Sequence, residues 1–338
     1  MSNVAFPSSR QDRIAKSPQF RNGAFHNLSV TPIQTREFSV LKLLRNQLNP
    51  PPDKNPASIL PIVRTNLNVE SDEPTLVWFG HSSYYLRLNG KKILVDPVFS
   101  GSAAPVSFIG RNFPGTNYYT ADHFAELDAV LITHDHYDHL DHKTVQKLGA
   151  VTKCFYTSLG VGAHLERWGI QPDYITELDW WERTSIGDME LTAAPARHFS
   201  GRTFKRNTTL WSSFILRSAD LSLYLGGDSG YDSHFKTIGE KFGSFDLALL
   251  ECGQYNSMWP LIHMMPEETV QAALDLNTRL LMPVHWGKFS LALHPWKEPI
   301  ERVQLAADKH KMPVIAPRIG EPVVIGRPLP RDKWWEEV

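Results

Sequence analysis

Cysteine is nearly absent. Cys154 and Cys252 are the only two in 338 residues, far apart and each flanked by apolar stretches. A disulfide framework is therefore not expected, and buried free thiols are. Net charge is equally scarce, −1 from 35 basic and 36 acidic residues, which gives no electrostatic case for nucleic acid or an anionic membrane as partner. No apolar run has the length of a transmembrane helix, and the N-terminal stretch lacks the apolar core of a secretory signal. A cytoplasmic location is the expectation, with peripheral attachment to a membrane surface left open. A Gly-x-Ser-x-Gly elbow is missing, which removes support for a serine hydrolase. So is a Gly-rich phosphate loop ahead of a helix, which argues against an ATPase or other nucleotide-dependent enzyme.

What is present is a 42% hydrophobic chain, enough for a sizeable core, and 14 histidines. Residues 1–70 read as an irregular N-terminal arm with one helical piece, Glu37–Leu48, that wraps the rest, reaches a partner subunit, or is a disordered leader. The arm is expected to serve assembly or a pocket rim and not to touch metals, because His26 stands alone in it. Residues 71–338 read as the main domain. Strands fit Thr75–Phe79, Ser83–Leu88, Lys91–Val95 after the Asn89-Gly90 hairpin turn, Asp128–Thr133, Cys154–Thr157, Met189–Ala193, Leu210–Leu216, Leu221–Leu225, Phe245–Leu250 and Leu280–Val284. Helices fit Lys143–Leu148, Gly160–Trp168, Pro266–Leu276 and Ile300–His310, the third opened by Pro266 with Glu267 and Glu268 beside it. Hairpins mixed with single strands and interleaved helices indicate a layered α/β fold rather than a purely parallel sheet.

The densest chemistry is HDHYDHLD at 134–141, placed where the Asp128–Thr133 strand ends. So many imidazoles and carboxylates are costly to bury unpaired, and together they suit zinc, iron or manganese. His134 and His136 can point together, while Asp138 and His139 face a second point, so one loop can serve two neighbouring ions. His198, Asp228 and His285 each follow an apolar strand in the same way. Asp228 has the further property that a carboxylate can bridge two cations.

These segments resemble the metallo-β-lactamase superfamily over residues 75–325, on HDHYDHLD, His198, GGDSG at 226–230 and VHWG at 284–287. More narrowly the chain resembles the branch containing N-acylphosphatidylethanolamine-hydrolysing phospholipase D and its bacterial relatives. That likeness rests on WFGHSSY at 78–84, ILVDPVF at 93–99, ARHFSGRTFKRNTTLWSSF at 196–214, HMMPEETV at 263–270 and HWGKFSLALHPWKEP at 285–299. The resemblance implies an αββα sandwich, two mixed β-sheets face to face with helices outside. It implies two divalent ions, zinc first with manganese or iron open. One site uses His134, His136 and His198, the other Asp138, His139 and His285, with Asp228 bridging.

The function implied is a binuclear metal-dependent hydrolase of phospholipase D-like type, acting on a lipid-like or small phosphodiester. A lactonase or other ester hydrolase and a noncatalytic metal-stabilised binding protein are the alternatives, and a homodimer is left open. Asp138, besides ligating, is a candidate for orienting water, and His263 for a substrate-facing general acid or oxyanion donor. Asp96 and Asp135 are candidates to accept from ligand imidazoles, and His81 is assigned a structural hydrogen-bonding role. Arg202 and Arg206, with Arg197 nearby, are candidates for phosphate. Tyr255, Met258, Trp259, Leu261 and Met264 are candidates for an acyl-binding wall, and Lys333–Glu337 for an interfacial anchor or a cap on a core edge.

Overall fold

The structure is a computed structural model that describes residues 9–34, 39, 49–106, 109–203, 205–330 and 332–338. The expected helix Glu37–Leu48 falls, Ser39 apart, outside them. In chain order the elements are α1 (Arg10–Lys16), β1 (Phe20–Arg21), β2 (Ala24–Phe25), β3 (Thr75–Trp78), β4 (Tyr84–Leu88), β5 (Lys91–Val95), β6 (Ala129–Ile132), α2 (His142–Leu148), β7 (Phe155–Ser158) and α3 (Gly162–Arg167). They continue with β8 (Ile175–Leu178), β9 (Arg183–Ile186), β10 (Met189–Ala194), β11 (Ser213–Arg217), β12 (Ser222–Leu225), α4 (His234–Phe242), β13 (Leu247–Glu251), α5 (Pro266–Asp275), β14 (Leu281–Val284), α6 (Glu298–His310) and β15 (Pro322–Val324).

Two mixed sheets carry the fold. The seven-stranded sheet has the order β15-β3-β4-β5-β6-β7-β8 and the six-stranded sheet β14-β13-β12-β11-β10-β9. In the first, β3, β4 and β5 pair antiparallel and β5 to β8 parallel. In the second, β9 to β12 are antiparallel and β12 to β14 parallel. Asn89 and Gly90 both take positive φ, as a tight β4–β5 hairpin demands.

Side-chain alternation sorts the seven-stranded sheet between two cores. Leu76, Trp78, Leu86, Ile93, Val95, Ala129 and Leu131 join the large cluster shared with the other sheet. Val77, Phe79, Tyr85, Leu94, Val130 and Ile132 join a second cluster that includes Val145, Leu148 and Leu165 of α2 and α3. A strand buried on both faces cannot show polar alternation, which is why these segments read as short apolar runs. The result is the αββα sandwich with helices outside. No helix among the described residues is long and apolar enough to cross a membrane.

The arm is less irregular than expected. Ser9 and Asp12 form a capping box at the start of α1, and Asn22-Gly23 turns the β1–β2 hairpin. Arg10 pairs with Glu166 and Glu177, and Phe25 N–H donates to Asn207 O at 2.8 Å. At the other end, Trp334 and Trp335 are fully buried. Trp334 stacks on Trp286 at 5.4 Å, so Lys333–Glu337 caps the core, and the interfacial-anchor alternative does not hold for its two tryptophans.

Candidate metal centre

Strands β3, β5, β6, β10, β12, β13 and β14 end on the same edge of the sandwich, and the segment after each delivers a polar side chain there. These are His81 after β3, Asp96 after β5, the 134–139 loop after β6, His198 after β10, Asp228 after β12, Glu251 at the end of β13 and His285 after β14. Sheet-end loops are the natural place for chemistry because the scaffold fixes them while their side chains remain free to converge.

Three groups of metal-competent atoms result, two of four residues and a third, Asp228, His263 and His285, that shares a member with each of them. His134, His136, His198 and Asp228 each bring one ligand atom within 4.8 Å of the others, and so do His81, Asp138, His139 and His285. Asp228 lies between the groups. Its Oδ1 is 3.0 Å from His139 Nε2 and 3.1 Å from His285 Nδ1. Its Oδ2 is 3.6 Å from His198 Nε2 and 3.8 Å from His134 Nε2. His139 Nε2 and Asp228 Oδ1 are buried, and neither makes a hydrogen bond despite their proximity. Two buried polar atoms aimed past each other fit ligands of a shared cation better than a hydrogen-bonded pair. His136 Nδ1 likewise sits 2.9 Å from His134 Nε2 and 3.1 Å from His198 Nε2, a crowding of ring nitrogens that suits one cation among them. The donor set of imidazole nitrogen and carboxylate oxygen is appropriate to a divalent transition ion.

The surroundings fix the rings. Asp96 Oδ2 accepts from His139 Nδ1 at 2.7 Å and from the Thr133 hydroxyl at 2.7 Å, while its Oδ1 accepts from Thr133 N–H. That directs His139 Nε2 inward, the role expected of Asp96. His198 Nδ1 lies 2.8 Å from Ile262 O, which turns its Nε2 inward in the same way. Asp135 differs from expectation. It touches no ligand imidazole, and instead accepts from Gly201 N–H at 2.7 Å and pairs with His164 at 3.2 Å.

Electrostatics follow from this crowding. Burial lowers the proton affinity of His134, His198 and His285 well below the ordinary value, aided by their neighbours' charges in the first case. A neutral imidazole is the form that binds metal. Asp228 and Asp138 stay ionised despite burial, because the facing histidines outweigh desolvation.

Three residues matter more than the sequence indicated. His81 is fully buried with φ of 54°, and its Nε2 lies 3.0 Å from Asp138 Oδ2. Its O accepts from the N–H of His285, which has φ of 68°, at 3.0 Å, and its N–H donates to Trp286 O at 2.8 Å. Non-glycine residues at positive φ on both sides of one loop pair mark a strained, over-determined site. Glu251 accepts from Ser229 N–H, Met264 N–H and His263 Nδ1. It thus ties the Asp228 loop to His263. Its signal in the sequence is the same apolar run ending in a polar residue that marks the other positions. Asn27, in the arm, donates Nδ2–H to His198 O at 2.7 Å and accepts from His198 N–H at 3.0 Å. Nothing in the sequence pattern connects it with His198, 171 residues away.

A cavity of about 360 Å³ opens on these groups, lined by His136, Asp138, His198, Asp228, His263 and His285 together with Phe199, Arg206, Gln254, Trp259, Ile262, Leu291 and, from the arm, Ile33 and Gln34. The expected acyl wall is redrawn. Of its five residues only Trp259 lines this cavity, while Met258 and Met264 are core residues. Tyr255 is bonded to Glu298 and stacked on His294. Of the arginines, Arg206 lines the cavity. Arg197 is consumed by Thr31, Val30 and Tyr231, and Arg202 points elsewhere. His263 is positioned at the cavity with its Nδ1 on Glu251. Burial opposes its charge, but Glu251 outweighs burial and pushes the imidazole up to about 9.

The Beta-lactamase superfamily domain model matches residues 91–286. An uncharacterised protein of Mycobacterium tuberculosis is 41% identical over 328 residues, 95% of this chain and 88% of that relative. The N-acyl-phosphatidylethanolamine-hydrolyzing phospholipase D 1 of Caenorhabditis elegans is 29% identical over 298 residues, 83% of each chain. Among solved structures, the metallo hydrolase Igni18 of Ignicoccus hospitalis shares the fold, with a TM-score of 0.56 and 21% identity over 74% of this chain and 97% of its own. With its two mixed sheets and its convergent histidine and aspartate groups, the chain belongs to the metallo-β-lactamase superfamily and is one of its metal-dependent hydrolases.

Proposed function

We propose that the chain hydrolyses phosphodiesters that carry an apolar or lipid-like substituent. Two divalent ions, zinc in the first instance, would be held by His134, His136 and His198 on one side and Asp138, His139 and His285 on the other, with Asp228 between. Bound there, such ions supply Lewis acidity toward water and toward the phosphoryl oxygens. One observation carries the substrate reading. The cavity that faces the ligand groups also holds two further cationic side chains, Arg206 and His263, and an apolar wall of Phe199, Trp259, Ile262 and Leu291. An anionic ester with a greasy arm satisfies both halves of that lining, whereas a neutral lactone leaves the cations without a role. The likeness to the Caenorhabditis elegans phospholipase D supports the same class.

In this reading His263, its Nδ1 held by Glu251, presents Nε2 to the substrate and donates a proton to the departing alkoxide. Arg206 offsets charge on the phosphoryl oxygens, and Asp138 orients the attacking water. The test is a panel of diesters, monoesters and lactones, with and without long acyl chains, run on metal-reconstituted protein and on His263→Ala. Diesters with acyl chains should lead. His263→Ala should retain two ions and lose roughly 10²–10⁴-fold in kcat/KM, the usual range for a positioned acid. That loss should shrink for an activated leaving group, which needs no proton. Preference for lactones overturns the substrate reading, and loss of an ion in the variant makes His263 a ligand instead.

A further inference from the structure

Arg202 and Arg206 lie four residues apart in the segment that follows His198, yet they serve different cavities. Arg206 lines the one described above, and Arg202 lines a second, of about 380 Å³, that shares no lining residue with the first. Tyr137 and Asp141 of the histidine-rich loop, Lys143 of α2, Arg167 and Trp168 at the end of α3, and Arg202 form its walls.

The charges in this second cavity are unbalanced. Elsewhere a number of basic side chains find carboxylates, among them Arg10, Arg13, Lys92, Lys147, Lys153, Arg197, Arg279, Arg302, Arg318 and Arg327. Lys143, Arg167 and Arg202 do not pair with any carboxylate among the described residues. The one carboxylate in the lining, Asp141, has its Oδ2 taken by Phe99 N–H, Ser100 N–H and the Thr144 hydroxyl. His164, also in the lining, is engaged with Asp135.

Arg202 is the structural centre of this arrangement. Its Nη1 donates to Asp135 O at 2.9 Å and Leu140 O at 2.6 Å, and its guanidinium lies 3.9 Å over the Tyr137 ring and 5.2 Å from that of Trp168. Its Nε and Nη2 have no acceptor among the described residues. A guanidinium held flat by rings and carbonyls, with donors left over, is pre-organised for an oxyanion. The two flanking cations sit on short helices whose side chains reach the same space, and the volume exceeds what a bare phosphate occupies.

We propose that this cavity is a second ligand site, distinct from the metal centre, that takes a small phosphate-bearing anion. Its oxygens are received by Lys143, Arg167 and the free N–H groups of Arg202, with Trp168, stacked at 4.5 Å on His142, as the flat wall beside them. The site is coupled to the metal loop through Arg202, which holds the carbonyls of Asp135 and Leu140 on either side of His136, Asp138 and His139. Occupancy therefore stiffens the segment that carries those residues.

Amide hydrogen exchange on the metal-loaded chain tests this, with inorganic phosphate and glycerol 3-phosphate as separate probes, in the wild type and in Lys143→Ala/Arg167→Ala. Both positions are exposed, so the double variant should keep the fold. In the wild type the ligand should slow exchange in 135–144 and 162–169. In the variant the same protection should need about tenfold more ligand or beyond, as expected when two charge-assisted contacts are removed. Segments around 198, 228 and 285 report phosphate at the metal centre and should respond alike in both proteins. Protection by both probes means that the phosphate group suffices, and protection by glycerol 3-phosphate alone means that the ligand is a phosphomonoester. No protection at 162–169 by either probe, or equal protection in the variant, overturns the proposal.

Discussion

Asp228 presents Oδ1 to His139 and His285 and Oδ2 to His134 and His198, so at the scale of a single residue its carboxylate reaches both groups. Asp228→Ala should therefore abolish turnover while leaving the core intact, since the side chain packs against imidazoles and not against the sheets. Metal content measured beside kcat checks this, and near-normal turnover with two ions bound would remove Asp228 from its central place. Lys288 offers a separate prediction, about pH. It is buried, with one hydrogen bond, from Nζ to Val98 O at 2.9 Å, and the rings of Phe99 and Phe289 at 5.2 and 5.7 Å. Burial pushes its pKa down from 10.5 to about 7. Between those values the unfolded chain carries the proton and the folded chain does not, so folding becomes more favourable as pH rises through that window. Below it both states are protonated and the full penalty for a buried charge applies. Against Lys288→Met, the wild type should gain on the order of 2 kcal/mol between about pH 6 and about pH 9 in denaturant unfolding. A difference between the two proteins that does not change with pH would mean that Lys288 is accommodated as a cation.

At the scale of elements, the N-terminal arm is where expectation and structure part. Among the described residues it brings no metal-competent group to the centre, and Ile33 and Gln34 line the cavity. But Asn27 grips the backbone of His198 from both sides and also accepts from Trp211 Nε1, so the arm is not independent of the ligand set. Asn27→Ala leaves the N–H and C=O of His198 without these partners, a loss of roughly 1–3 kcal/mol. It should weaken metal retention by about 10–100-fold, the range for removing a group that orients a ligand. Competition with a chelator measures this, and retention equal to the wild type would reduce Asn27 to a surface contact. The contrast shows what was legible. His134, His136, Asp138, His139, His198, Asp228 and His285 could be read because each follows a short apolar strand, and strand ends are local in sequence. The hairpin at Asn89-Gly90 and the α5 start at Pro266 were legible for the same reason. Strands β8, β9 and β15 were not, since β9 has exposed alternate residues and little apolar content, and β15 is a three-residue edge held by pairing with β3. Glu251, His81 and Asn27 were under-read because their roles depend on tertiary partners that no local pattern encodes.

At the scale of the whole molecule, both ends of the described chain pack next to residues of the metal edge, the arm through Asn27 on His198 and the tail through Trp334 and Trp335 on Trp286. β15 adds the last strand to the seven-stranded sheet beside β3, and the segment that follows carries Trp334 and Trp335 back onto Trp286. Trp286 is next to His285 and also lies 5.4 Å from Trp78, three residues before His81. Trp296, at 6.1 Å from Trp334, completes the stack. The indoles thus support from below the two positive-φ loops that present His81 and His285, and stability and site geometry share one packing unit. Trp334→Ala should cost about 3–5 kcal/mol, the usual range for emptying a fully buried aromatic position. It should also weaken the retention of metal at the Asp138, His139 and His285 group more than at the His134, His136 and His198 group, because only the former rests on Trp286. Trp334→Phe should recover most of both. Unfolding midpoints and stepwise metal release, followed in the same three proteins, separate the two effects. If Trp334→Ala lowers the midpoint while both groups release metal as in the wild type, the tryptophan stack supports the sandwich alone and the site is held by its loops.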